Sequence, residues 1–304
     1  MSKNLAKPEV ILSASSIKSL EDCSWMYYSK KILKFPDPGN QGAWLGGILH
    51  LVCELLQTPR HKKHFKPLND TKKLDSVPSI KRLVKKHLIK NNIESEECYS
   101  LIEQFLDVAL SYDFYAEGKQ ILGIEKEFLI KSQTPKYSIL GYIDRLSFDP
   151  KTNKVLVLDF KSQKKAFSSQ DLANNIQAFT YTLAVKKLLM PEAKDITVQF
   201  LLLRFPQNPV QEVKVTDEQL KGFEKYLAYL YKIVNNFDEQ QARRNFAYDS
   251  DKKKWLCKAG KWECPARMPK DFFALMDGEK FIKSSFDKAA LDKIAKPGQT
   301  IEVR

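Results

Sequence analysis

The 304-residue sequence has no long hydrophobic run. Its apolar stretches, such as residues 199–203, fall far short of the roughly 20 residues that a membrane-spanning helix needs. The opening decapeptide, MSKNLAKPEV, is not followed by the apolar stretch of about 7–15 residues that a secretory leader carries. Cysteines are few: five, odd in number and scattered (Cys23, Cys53, Cys98, Cys257, Cys264), so they build no disulfide framework. No internal repeat or low-complexity tract occurs. These absences set the expectation of a soluble, cytoplasmic chain that does not span a membrane, whose thiols are reduced or bound to metal.

What is present is enough apolar residue for a core, and an uneven charge. Hydrophobic residues at 43% and aromatics at 11% exclude wholesale disorder. The length suits one elaborated domain or two small ones. Fifty Lys and Arg stand against 37 Asp and Glu, a formal +13. Residues 60–90 hold a net +9 and residues 252–270 a net +6, which leaves −2 for the remainder. Such a division points to a polyanionic partner, either nucleic acid or an anionic membrane surface. The alternative is a pair of solvated faces that serve solubility.

Periodicity predicts helices over 13–31, 46–56, 78–90, 94–110, 170–189 and 216–237, the last opening on a capping box from Thr216 to Glu218 or Gln219. The helix at 46–56 is apolar nearly all round and embeds His50. Residues 62–77, polar, basic and broken by Pro67, read as a loop or mobile insertion. Strands are predicted over 122–131, 137–148, 154–161, 195–205 and 210–215. The order gives a mixed α/β core behind a helical lead-in. Three regions follow from it: a helical N-terminal region with a basic insertion (1–120), a core (121–245) and a basic Cys/Trp-containing segment (246–304).

The most informative stretch is YSILGYIDRLSFDPKTNKVLVLDFKS, residues 137–162. Two β-rich runs flank a turn at 149–154, and a hairpin centred there sets Asp144 opposite Asp159, with Cβ atoms about 4.5–5.5 Å apart. Lys161 shares a face with Asp159, two residues on. Facing carboxylates destabilise a sheet unless a cation lies between them. Carboxylate oxygens suit a hard ion such as Mg²⁺ or Mn²⁺. Lys161 could then hold an attacking water or offset charge building on a phosphate. The alternative is an edge hairpin whose acids are solvated and neutralised by the lysine.

LGYIDRL followed by VLDFKS resembles the two central motifs of the PD-(D/E)XK nuclease superfamily. Three further stretches are similar to its RecB-type exonuclease branch, which includes the CRISPR-associated adaptation nucleases and many phage enzymes. They are SASSIKSLEDCSWMYYSKKI with Ser15, Cys23, Tyr27 and Tyr28, WLGGILH with His50, and NNIQAFTYTLAV with Gln177 and Tyr181. The resemblance runs in the family's order from about residue 13 to 185. It implies a restriction-endonuclease-like fold, a mixed central sheet flanked by helices. It also implies that His50, Asp144, Asp159 and the Phe160 carbonyl hold the divalent metal and that Lys161 is the catalytic lysine. Gln177 and Tyr181, at i and i+4, would reach the DNA strand. Glu125 or Glu127, in GIEKEF, fits the family's acidic residue ahead of the hairpin, with Glu127 favoured. Tyr27 and Tyr28 are candidates for stacking on unpaired bases. Trp25 and Phe179 fit core packing.

Many relatives bind an iron–sulfur cluster through four cysteines. Here Cys23, Cys257 and Cys264 match, but Lys254 stands where the fourth would fall. Three thiolates could bind zinc or a cluster with another ligand, or the segment is a relict packed through Trp255 and Trp262. Cys53 and Cys98 read as ordinary buried thiols. The resulting expectation is a Mg²⁺- or Mn²⁺-dependent deoxyribonuclease, an exonuclease on single strands or DNA ends. It would serve recombination, repair or phage DNA processing in a bacterial or phage-infected cell. The basic segments would gather backbone phosphates, and a helicase, single-strand-binding protein or recombinase would be its partner. Two other readings stay open. One is a non-catalytic nucleic-acid-binding subunit of a DNA-processing complex. The other is a structure-specific endonuclease, although such relatives typically lack the His-bearing helix and the Gln-xxx-Tyr motif.

Overall fold

Five strands with alternating β-branched and apolar residues pair into one sheet, β1 (Gln120–Gln133), β2 (Lys136–Asp149), β3 (Lys154–Lys161), β4 (Asp195–Leu202) and β5 (Val210–Val213), in that spatial order. The pairs β1/β2, β2/β3 and β4/β5 are antiparallel, while β3/β4 is parallel. The structure is a computed structural model, and it describes residues 10–32, 40–244, 256–259 and 262–263.

The chain divides into two compact units, one of Met1–Ala14 with Gly39–Lys232 and one of Ser15–Pro38 with Ile233–Arg304. In the first, the helices are α3 (Gln41–Gln57), α4 (Phe65–Thr71), α5 (Pro78–Lys90) and α6 (Glu96–Ser111), then α7 (Ser169–Ala173) and α8 (Ile176–Ala184) between β3 and β4, and α9 (Asp217–Asn235) after β5. Buried apolar residues of α3 to α6 form one core with Leu158 and Phe160 of β3 and with Leu201 and Leu203. By strand alternation, Asp159 and Lys161 point to the opposite face. Phe179 of α8 packs there on Phe223 of α9, ring centroids 5.3 Å apart. Beyond the reach of β3, the backbone of Leu12 pairs with β2 at Ile139.

Residues 62–77, expected to be a loop or mobile insertion, are instead helical. A 3-10 turn (Lys62–His64) leads into α4, and a second (Leu74–Ser76) follows it. Leu68 and Leu74, spaced among the basic residues, are buried in the helical core and fix the segment. The helix expected over 170–189 is broken at Asn174–Asn175, because the Asn175 side chain accepts from the Gln177 and Ala178 N–H groups and starts α8 afresh. The capping box ahead of α9 forms between Thr216 and Gln219.

The second unit contains α1 (Ala14–Asp22), α2 (Ser24–Tyr27), α10 (Glu239–Arg243) and the short strands β6 (Lys258–Ala259) and β7 (Trp262–Glu263). The single helix expected over 13–31 breaks at Cys23, whose side chain caps α2. Cys23, Trp25, Ala242 and Cys257 are buried together.

Candidate metal centre and active site

The hairpin sets the site. Its ladder runs from Asp149↔Lys154 to Arg145↔Leu158, and one step further the same register sets Asp144 opposite Asp159. On the other side of β2, the register through Ile124↔Arg145 and Lys126↔Ile143 sets Glu125 opposite Asp144. Three acids thus form a row across three neighbouring strands. Asp144 is buried at 6% exposure and accepts the Phe160 backbone N–H at Oδ2, 2.7 Å away. A residue's N–H and C=O point to the same side of a strand, so the Phe160 carbonyl faces the same edge.

His50 joins this row from α3. Its Nδ1 lies 3.4 Å from Asp144 Oδ1 and 3.6 Å from Glu125 Oε1. One helical turn earlier, Gly46 lets α3 come close to the end of β3, since a Cβ there would stand 3.0 Å from Ser162 Oγ. Glu125 has φ of +45°, a left-handed conformation that few non-glycine residues adopt, shortly after a bulge between Ile121 and Gly123. Bulges commonly re-aim side chains beside functional sites.

The third acid has its own partners. Asp159, 1% exposed, accepts at Oδ1 from Tyr181 OH (2.7 Å) and from Gln177 Nε2 (2.7 Å). Its Oδ2 lies 2.5 Å from Lys161 Nζ but lacks hydrogen-bond alignment with any donor among the described residues. Lys161 also donates to Gln177 Oε1 at 2.7 Å. Gln177 and Tyr181, one turn apart on α8, therefore converge on Asp159, and Tyr181 is itself buried. Phe128 of β1 meets the Tyr181 ring edge-on at 6.4 Å.

The electrostatics are those of an anionic pocket. Burial disfavours charged His50, yet the hydrogen bonds and charge of Asp144 and the hydrogen bond of Glu125 prevail, and His50 is pushed up to about 10. Burial and the charge of Asp159 raise Asp144 above the usual carboxylate range, against the pull of His50. Burial, then the charges of Asp159 and Asp144, push Tyr181 well above a normal phenol, so its hydroxyl remains a donor.

A divalent cation fits this environment. One ligand atom each from His50, Glu125 and Asp144 lies within 4.8 Å of the others. Metal–ligand bonds of roughly 2.0–2.6 Å span such separations. The buried, unaligned Asp159 Oδ2 offers a further oxygen beside them. One imidazole with carboxylates is a donor set for a hard divalent ion.

Glu127, the acid favoured from sequence, is not brought to the row. It accepts instead from Tyr142 OH at 2.9 Å on the exposed strand surface, so Glu125 takes the expected place. Both glutamates follow the bulge in one register, and what separates them is the partner on β2, Asp144 for Glu125 and Tyr142 for Glu127. Asn175, which carries no signal in the apolar pattern, orients Gln177 by capping its helix. In the second unit, Tyr27 is buried against Phe237 and pushed up to about 12 by that burial, and half-buried Tyr28 stacks on buried Trp25. Cys23 and Cys257 share the core there, whereas Cys264, Lys254, Trp255 and most of the basic segment 252–270 lie outside the described residues. Cys53 and Cys98 are buried in the first unit, Cys98 accepting from Gln41 Nε2 at 3.0 Å.

A row of acids with a histidine and a lysine alongside has the donor set of a site for metal-assisted hydrolysis of phosphodiesters. The family model of the PD-(D/E)XK nuclease superfamily matches residues 11–268, most of the chain, and the chain belongs to that superfamily. Its five-stranded mixed sheet between helices is the restriction-endonuclease-like fold expected from the motifs. Membership makes it a hydrolytic nuclease of the divalent-metal-dependent kind, with DNA as the substrate the family implies. No curated protein matches it in sequence. Among solved structures it is similar to a provisionally assigned exonuclease from Eubacterium rectale, at 11% identity and a TM-score of 0.45, over 78% of this chain and 86% of that one.

Proposed function

We propose that the chain is an exonuclease of the RecB-type branch, hydrolysing single-stranded DNA or DNA ends with Mg²⁺ or Mn²⁺. The observation that carries this reading is the convergence of His50 from α3 and of Gln177 and Tyr181 from α8 on the acid row, since both elements are typical of that branch. His50, Glu125 and Asp144 would hold the ion, with Asp159 Oδ2 and the Phe160 carbonyl as further ligands. When bound, the ion polarises the scissile phosphate and makes a bound water more acidic. Lys161 donates to Gln177 Oε1 and keeps its charge 2.5 Å from Asp159 Oδ2, and its other donors serve the attacking water or a phosphate oxygen. Gln177 and Tyr181 act as positioning residues. They hold Asp159 from one side so that Oδ2 stays turned to the site. In a cell such an enzyme would serve recombination, repair or phage DNA processing.

The test uses end-labelled linear single-stranded and duplex DNA beside circular DNA, with Mg²⁺ or Mn²⁺, for the wild type, Asp159→Ala and Lys161→Ala. Loss of linear but not circular substrate, abolished in both variants, is the expected result. Cutting of circles would instead favour an endonuclease. No cutting with either metal would leave a non-catalytic DNA-binding subunit.

A further inference from the structure

Helix α5 has one apolar face and one face of a single charge sign. Ile80, Val84 and Leu88 are buried in the core shared with α3 and β3. The outward positions, at helical spacing, are Arg82, Lys85, Lys86, Ile89 and Lys90, all exposed. The helix contains no acidic residue. Asp75 pairs with Lys81 at its margin, and Glu94 lies 3.7 Å from Lys85 of the outward face.

A solvated helix face gains solubility from mixed charges and does not need a single sign. Like charges one turn apart, here Arg82 with Lys86 and Lys86 with Lys90, repel and weaken a helix. The stripe therefore acts against the helix that carries it, and a polyanion would reverse that effect. From Arg82 to Lys90 it covers roughly 12 Å at about 1.5 Å per residue. It has no aromatic ring on which a base could stack, so it is suited to the backbone and not to base faces. Because α5 and His50-bearing α3 share one core, the stripe is fixed relative to the acid row.

Resting on the nuclease reading above, we propose that the outward face of α5 holds the phosphodiester backbone of DNA, without regard to sequence, through side chains separate from those of the acid row. Whether the backbone belongs to a duplex or to a single strand, the recognising chemistry is the same.

The experiment measures binding of fluorescent 30-mer single-stranded and duplex DNA to the full chain in chelator, where nothing is cut, across a salt series. Arg82→Ala/Lys85→Ala/Lys86→Ala/Lys90→Ala is compared with Lys194→Ala/Lys214→Ala/Lys221→Ala/Lys225→Ala, which removes as many exposed charges elsewhere. A third variant, Arg82→Lys/Lys85→Arg/Lys86→Arg/Lys90→Arg, keeps the charge. The α5 alanine variant should lose at least roughly tenfold in affinity on one or both substrates. Its salt slope should become shallower by about 0.7–0.9 for each phosphate that it no longer neutralises, while the charge-keeping variant binds like the wild type. The substrate that loses more identifies the form of DNA held. An unchanged slope on both substrates, or an equal loss from the control set, overturns the proposal. Because no cleavage is involved, neither outcome depends on whether the acid row hydrolyses DNA.

Discussion

At the scale of single residues, Glu125 combines an unfavourable backbone with a polar destination. A non-glycine residue at φ of +45° carries a cost on the order of 1–3 kcal/mol. That cost turns the carboxylate toward His50 and Asp144. Glu127, two residues on, has ordinary strand geometry and bonds to Tyr142. Glu125→Gln should therefore reduce hydrolysis by on the order of 100-fold or more, while Glu127→Gln remains within a few-fold of the wild type. Initial rates on labelled linear DNA check both, and the reverse ranking would remove Glu125 from the site. Asp144, Asp159 and Lys161 were legible as chemistry-bearing residues because their types and spacing are informative, and His50 only through the resemblance of its helix motif to the family. The choice between the two glutamates was not, since it depends on which of them the β1/β2 pairing sets opposite Asp144 and on the left-handed backbone of Glu125.

At the scale of elements, the hairpin was legible to the residue. The turn at 149–154 fixed its register, and a one-residue slip would have sent Asp144 to the other face. The bounds predicted for β3 agree with those observed. The break before α8 was hidden because Asn175 acts through side-chain bonds to backbone N–H groups, which leave the apolar periodicity intact. One cross-strand pair links β1 to the hydrogen-bond network around Asp159. Gly141 lies opposite Phe128, whose ring lies where a Cβ would be and also meets Tyr181. Gly141→Ala should thus displace the ring and cost about 1–3 kcal/mol. Combining it with Phe128→Leu should recover part of that loss, which chemical denaturation of the single and double variants would reveal. Strictly additive costs would mean that the ring does not depend on the missing side chain.

At the scale of the whole molecule, charge is divided by place. The first unit places three carboxylates in a row, and its α5 exposes cations on a separate surface. The sequence predicted that division, and it predicted the fold class through strand order and motif. It did not predict that 62–77 is helical, because buried Leu68 and Leu74 are too few to produce a periodic signal among so many charges. The central claim is that His50, Glu125 and Asp144 hold a divalent cation, and it implies a pH dependence. With His50 pushed up to about 10, the metal-free site binds a proton that a metal must displace. Metal binding should therefore strengthen as pH rises, by up to roughly tenfold per unit below that value. Calorimetric titration of the full chain with Mn²⁺ at pH 6, 7 and 8, beside Asp144→Asn, tests this directly. Binding should tighten with pH in the wild type and be lost in the variant; wild-type affinity independent of pH, or equal binding by Asp144→Asn, would mean that these three residues do not hold the ion.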